Sequence, residues 1–331
     1  SLNAKDGSFD KNFGSNGIVR TGLNLVPPAI YKNQIIIPTL DRFIEVYNLY
    51  SGKLEWKLKY RKPIKKRIGG IKYNNSGGTP WSGSSLDEER GIFYISTGNP
   101  GIFFDGTRRP GPNKDANSII AIDLINKKKL WSFQETIHDI WNLDIASPPI
   151  LTSIYKDKKY IDVVVAPSKT GNTLVLDRLS GKPIFKYKLE KVETSSVPGE
   201  RTSPYQPNIS IPEPFEKIFF EKENIRKEFQ NEFSNENYEY GRYKPVKIDK
   251  IYIRGGIVGG AQWVGASIDP KRAIMYVTSN NIAYGVQIEK SKDTEKYEAP
   301  IYKNKYFRLL ENNKFPINKP PWGTLNAINL N

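Results

Sequence analysis

The feature that most constrains this chain is that it repeats itself. Ile44 to Lys59 (IEVYNLYSGKLEWKLK), Ile119 to Gln134 (IIAIDLINKKKLWSFQ) and Thr173 to Lys188 (TLVLDRLSGKPIFKYK) share one plan. Each reads as an alternating apolar strand, a turn carrying Gly or Asn-Lys, and a second strand bearing an aromatic residue. Thr324 to Asn331 (TLNAINLN) opens the same unit and stops at its turn, and Leu2 to Gly14 reads as the end of another. A unit of this kind cannot bury its apolar face alone, so the repeats must stack on one another around a shared core.

A second echo is longer and more specific. Gly77 to Asn99 (GGTPWSGSSLDEERGIFYISTGN) and Gly259 to Asn281 (GGAQWVGASIDPKRAIMYVTSNN) each set a Trp eighteen residues before an Asn. Period-two alternation bounded by Gly, Pro, Asn and Asp predicts successive antiparallel strands. Four-stranded units recurring roughly every 50 to 75 residues predict an all-β chain folded as a β-propeller, with about five blades present. A ring opened inside its repeats would expose unpaired edges, so residues 1–331 read as a single propeller domain that is incomplete at both ends. One stretch breaks the alternation: the Phe, Ile and mixed charges of Pro214 to Asn237 suit a short amphipathic helix or a solvated loop, and 214–237 is read as a surface insert.

Composition narrows the chemistry. With 38% hydrophobic and 26% charged residues and a mean hydropathy of −0.55, the chain is neither disordered nor collagenous. It has no window approaching eighteen apolar residues, and Ser1 opens no signal pattern. The absence of cysteine removes disulfides, thiolate zinc sites, iron–sulfur clusters and cysteine nucleophiles together. One histidine, His138, leaves no poly-histidine metal site, and a Ser-His-Asp triad would have to use it. Carboxylate and amide sites for hard cations stay open. The net charge of +15 is scattered, with clusters only at Lys62 to Arg67 and Lys127 to Lys129, so it reads as solvated surface and no nucleic-acid partner is expected.

The tryptophan-bearing repeats come with further motifs: HDIWNLD (His138 to Asp144), APSKTGNTLVLDR (Ala166 to Arg178), PGERTSPYQP (Pro198 to Pro207) and PPWGTLNAI (Pro320 to Ile328). In this order the set resembles the quinoprotein dehydrogenases, closest to the glucose, quinate and related polyol branch. Those proteins are eight-bladed propellers holding pyrroloquinoline quinone (PQQ) and a calcium or magnesium ion on the propeller axis. The resemblance implies that this chain is the central portion of such an enzyme. It would oxidise the alcohol group of a sugar or polyol by hydride transfer to the quinone, with electrons leaving to ubiquinone or cytochrome c. It further implies a periplasmic setting, with membrane attachment through segments outside 1–331.

Carried over residue by residue, the resemblance makes Trp81 the stacking platform for the flat cofactor, which suits the large rigid face of an indole. Asn99 matches a metal ligand whose amide oxygen suits a hard cation. Lys169, in PSKTG, matches the cation facing the reactive quinone carbonyl, where it would stabilise developing oxyanion charge. Trp263, in the second echo, is expected in blade packing or along the same funnel as a further cofactor contact.

Three departures oppose full activity. The aspartate that follows the tryptophan in the family, general base and metal ligand, is Asn142 here, twenty-seven residues before Lys169. An amide keeps an oxygen for a cation but cannot accept a proton, and losing a general base typically costs about 10²- to 10⁴-fold in rate. Asp144, expected on the same strand face as Asn142, is the better substitute than Asp139, and His138 is expected to cap its loop by hydrogen bonding. Ile257 stands where the family carries a cofactor-contacting asparagine, and the carboxylate-bearing loop that supplies a metal ligand in relatives has no counterpart near Asp41. These departures motivate the alternative of a catalytically silent propeller serving as a binding or scaffold module.

Overall fold

The first two repeat hairpins form where the alternation predicts them. In the computed structural model, which describes residues 1–62, 65–68, 71–74, 77–258, 260–291 and 302–331, Phe43–Asn48 pairs with Leu54–Lys59, and Ser118–Asp123 pairs with Lys128–Gln134, both antiparallel. The third departs from plan. Thr173–Asp177 is a strand, but its expected partner shrinks to a single bridge between Leu176 and Pro183. A proline there has no N–H to give the ladder. Leu2 to Gly14 likewise holds only an isolated Leu2–Phe9 bridge.

Each hairpin belongs to a larger sheet. Ala29–Tyr31, Gln34–Pro38, Phe43–Asn48 and Leu54–Lys59 make a four-stranded meander, and Ser84–Asp87, Ile92–Ser96, Ser118–Asp123 and Lys128–Gln134 make a second. Ile150–Lys156, Lys159–Pro167 and Thr173–Asp177 follow as a third sheet; Ala261–Asp269, Ile274–Asn280 and Gly323–Asn329 form another. A further four-stranded sheet orders Tyr238–Glu239, Ile251–Arg254, Tyr284–Lys290 and Tyr302–Arg308 side by side.

Alternation along the strands explains how these sheets stack. Phe93 and Ile95 pack against Ile36, Ile44 and Val46 of the first sheet, whereas their neighbours Ile92 and Tyr94 pack against Val164, Ala166 and Leu174 of the third. In turn Val163 and Val165 face Met275, Val277 and Ile328 of the next. Every interior sheet is thus apolar on both faces, which burial on two sides requires. Sheet stacked on sheet, with largely antiparallel strands inside each, is the radial packing of a propeller.

Among the described residues the only helical turns are three 3₁₀ turns, Lys222–Asn224, Lys227–Phe229 and Glu232–Ser234. They lie inside 214–237, where no longer amphipathic helix forms. Apart from Glu216, which is buried, the segment keeps its charges outward, and it buries Phe220, Ile225 and Phe233 against Ile253, Ala283, Leu309 and Ile317. Among the described residues no helix is long and apolar enough to cross a membrane.

Candidate functional site

Three loops that end strands deliver the predicted residues to one place. Asn99 follows the strand Ile92–Ser96, Lys169 sits in the tight connection between Lys159–Pro167 and Thr173–Asp177, and Asn142 and Asp144 come from the irregular run after Lys128–Gln134. A cavity of about 810 Å³ is lined by Trp81, Asn99, Asn142, Asp144, Lys169 and Ile257, together with Leu25, Thr79, Phe103, Val258 and five glycines and alanines. The backbone of Trp263 lies in the strand Ala261–Asp269, but its side chain is outside the described residues, as is that of every member of the Lys62 to Arg67 cluster except Lys62.

Asp144 is the hub. Its Oδ2 accepts from Lys169 Nζ at 2.9 Å, and its Oδ1 accepts from the backbone N–H of Asn99 at 2.8 Å and from Asn99 Nδ2 at 3.1 Å. The Asn99 amide also donates to Asn142 Oδ1 at 2.8 Å, so the two amides and the carboxylate form one connected cluster. Burial alone would push the Asp144 carboxyl up; the Lys169 ammonium and the Asn99 donors outweigh it and hold it below the ordinary carboxylate value. Asp144 is therefore an ionised acceptor at neutral pH.

Its route to the cavity differs from the expected one. Residues 141–149 form no strand, so no period-two face joins Asn142 to Asp144. Asn142 has φ +60°, a left-handed conformation that Asn, Asp and Gly tolerate best, and the turn it makes brings the two side chains side by side. Asp139 is turned inward instead, accepting from the backbone N–H groups of Trp141 and Leu143 at 2.7 Å each and from Asn117 Nδ2 at 2.8 Å. Trp141 is wholly buried, edge-on to Tyr243 at 5.1 Å. His138 is buried too, with Nδ1 2.7 Å from the Gly111 carbonyl oxygen and Nε2 2.6 Å from Glu200 Oε1, in the loop-holding role expected of it. Asp41 lines a separate depression with Arg42, Phe43 and Glu45.

Several wall residues carry no motif that marks them. Gly98 is one: a Cβ there would collide with Asp144 Oδ1 and stand 2.7 Å from Trp81 Nε1, so only glycine leaves the space between indole and carboxylate open. Phe103 is another, flanked by Ile102 and Phe104 at φ +55° and +62°. A left-handed β-branched residue is strained, and such strain clusters at ligand sites.

The donor set suits a flat, anionic, redox-active ring: an indole wall, apolar flanks, and one ammonium at the floor. It suits a hard cation less completely. Asp144 and Asn142 Oδ1 are oxygen donors, but Asn99 turns its amide nitrogen into the cluster and its oxygen to the Gly101 N–H at 2.9 Å. Among the described residues no three carboxylates or imidazoles gather around a point.

Stacked β-sheets with a cavity at their loop ends define a propeller-type protein. The family described as "PQQ: Glucose/ethanol/alcohol dehydrogenase, beta-propeller domain" matches residues 1–331, and the chain belongs to it. It is similar to the glycerol dehydrogenase large subunit of Gluconobacter thailandicus, 27% identical across 84% of this chain and 42% of that one. Similarity to the quinate/shikimate dehydrogenase (quinone) of Acinetobacter baylyi is 24% across 99% and 47% respectively. The Escherichia coli quinoprotein glucose dehydrogenase matches at 24%, again over 99% and 47%. The chain thus spans less than half the length of these curated relatives. Among solved structures, the quinohemoprotein alcohol dehydrogenase from Comamonas testosteroni shares the fold, with a TM-score of 0.56 at 20% identity, over 91% of this chain and 44% of that one.

Proposed function

We propose that this protein is a PQQ-dependent dehydrogenase that oxidises the alcohol group of a sugar or polyol and hands the electrons to ubiquinone or cytochrome c in the periplasm. The observation that carries the reading is convergence: the Trp81 indole, the Asn99 amide and the Lys169 ammonium, widely separated in sequence, line one cavity. When bound, PQQ supplies the hydride acceptor. Trp81 offers the face on which its rings stack. Lys169, its side chain only 7% exposed, would stabilise negative charge developing on the reduced quinone. A calcium or magnesium ion would be held by Asp144 and the amide oxygens of Asn142 and Asn99, the last after its amide turns over.

Asn142 cannot take the hydroxyl proton, which leaves the Asp144 carboxylate as the acceptor. Its depressed basicity and its ion pair make it a weak one. Reconstituting the full-length protein with PQQ and Ca²⁺ and following dye reduction with glucose and other polyols tests the assignment. Turnover supports it, and Asn142→Asp is then expected to raise the rate by about 10²-fold or more. An unchanged rate would show that position 142 is not the base position. Asn142 and Ile257 favour a second reading, a silent scaffold, which retention of no cofactor and no turnover would leave standing.

A further inference from the structure

Behind Lys169, on the side away from the cavity, sits a carboxylate that the proposed reaction does not use. Glu135 directly follows the strand Lys128–Gln134 and is completely buried. Its Oε1 accepts from Ser168 Oγ at 2.8 Å, Thr170 Oγ1 at 2.5 Å and Asn172 Nδ2 at 3.0 Å. Those donors are both neighbours of Lys169 and the last residue of the same turn. Its backbone N–H is fixed as well, donating to the Asn117 carbonyl at 2.9 Å.

Backbone hydrogen bonds tie the Ser168 to Asn172 turn to its surroundings, Lys169 N–H to the Asp144 carbonyl at 3.2 Å and Phe215 N–H to the Gly171 carbonyl at 2.9 Å, while three of its side chains converge on Glu135. The turn closes on itself through Ser168 N–H to the Asn172 carbonyl, and Gly171, at φ +82°, lies too close to the Glu216 carbonyl for any side chain. A buried carboxylate is costly, and here burial pushes Glu135 up despite its three donors and the opposing charge of Arg242. What the carboxylate provides that an apolar residue could not is a common acceptor for three side chains of the turn.

We propose that Glu135 is a positioning residue that locks the 168–172 turn so that the Lys169 ammonium stays at the cavity floor, 2.9 Å from Asp144. It touches neither the cavity nor a reacting atom and acts through Lys169. The proposal rests on the reading of Lys169 as the cation facing the cofactor, but it can be tested without that cofactor. Lys169 is 7% exposed and ion-paired, so its amine should acylate far more slowly than surface lysines.

The experiment is pulse acylation of the full-length protein without PQQ, with Lys169 modification read by peptide mass spectrometry, beside a PQQ titration followed by tryptophan fluorescence. Glu135→Leu is expected to raise Lys169 labelling about tenfold and weaken PQQ binding by a similar factor, the scale of losing one buried acceptor shared by three donors. Glu135→Gln keeps an acceptor oxygen and should restore both readouts to within about twofold of the parent. Val163→Ala, a core truncation in a neighbouring strand, should lower the melting temperature yet leave Lys169 labelling unchanged. Should Glu135→Leu fail to fold, Thr170→Val removes the shortest of the three bonds and should move labelling the same way.

Unchanged labelling in Glu135→Leu or Thr170→Val, or an equal rise in Val163→Ala, overturns the proposal. Failure of the cofactor reading looks different: Lys169→Ala would then bind PQQ like the parent, while Glu135→Leu would still free the amine.

Discussion

At the scale of single residues, Asp144 concentrates the electrostatics of the cavity. Burial raises its carboxyl, but the Lys169 ion pair and the Asn99 donors outweigh that and lower it, so folding favours the ionised form. A carboxyl depressed on folding contributes stability that is present above its unfolded value, near 4, and is lost as pH falls through the lower folded value. Acid unfolding followed by circular dichroism should therefore show a shallower loss of stability below about pH 4 in Asp144→Asn than in the parent. The reciprocal change is harsher. Lys169→Met strands a buried carboxylate, and about 3 kcal/mol of stability should disappear at pH 7 in a denaturant titration, with part of it recovered as the acid is protonated at lower pH. Gly98→Ala belongs with these variants because its Cβ would enter the gap between Trp81 and Asp144. It should weaken PQQ binding in a fluorescence titration by at least about tenfold, since the only escape is to move the indole or the carboxylate. Trp81, Asn99 and Lys169 were legible in the sequence because each sits inside a long, spaced motif. Gly98 and Phe103 were not, because their importance comes from what approaches them across the cavity.

The elements show where pattern reading succeeds and where it fails. Hairpins were legible wherever a strand buries alternate residues, since the period-two code is written in those residues themselves. It failed at Lys182 to Lys188, where the letters alternate but Pro183 removes a ladder donor and a single bridge remains. It misled again at Asn142 and Asp144. The two share the cavity through a left-handed turn that no alternation encodes, so the pairing was anticipated for the wrong physical reason. Segment 214–237 was ambiguous because its charges and apolar residues follow neither period, and what organises it is tertiary: Phe220 and Ile225 are wholly buried among residues from three other stretches of chain. Phe220→Ala should accordingly cost about 3 to 5 kcal/mol in chemical denaturation, the loss expected of a core phenylalanine. A loss below about 1 kcal/mol would mark the segment as a surface appendage after all.

For the whole molecule, the decisive property is that no sheet contains the cavity. Leu25 precedes the first strand, Trp81 and Asn99 flank the second sheet, Asn142 and Asp144 leave it, Lys169 belongs to the third, and Ile257 and Val258 follow the strand Ile251–Arg254. The walls come together only when consecutive sheets stack through their shared apolar faces, so cofactor binding and global folding should be coupled. A ligand that binds only the stacked state, present at a hundred times its dissociation constant, stabilises by about 2.7 kcal/mol. For a chain of this size that corresponds to a rise of about 5 °C in melting temperature. PQQ added with Ca²⁺ should produce such a rise in a scanning calorimetry experiment, in one transition and not as stabilisation of a part. Trp81→Ala should abolish most of the shift while the unliganded protein melts within a few degrees of the parent, because the half-exposed indole is wall and not core. A PQQ-induced shift that survives Trp81→Ala, Lys169→Ala and Asp144→Asn alike would put the cofactor elsewhere on a surface carrying a net charge of +15, where an anionic ring could bind without any cavity.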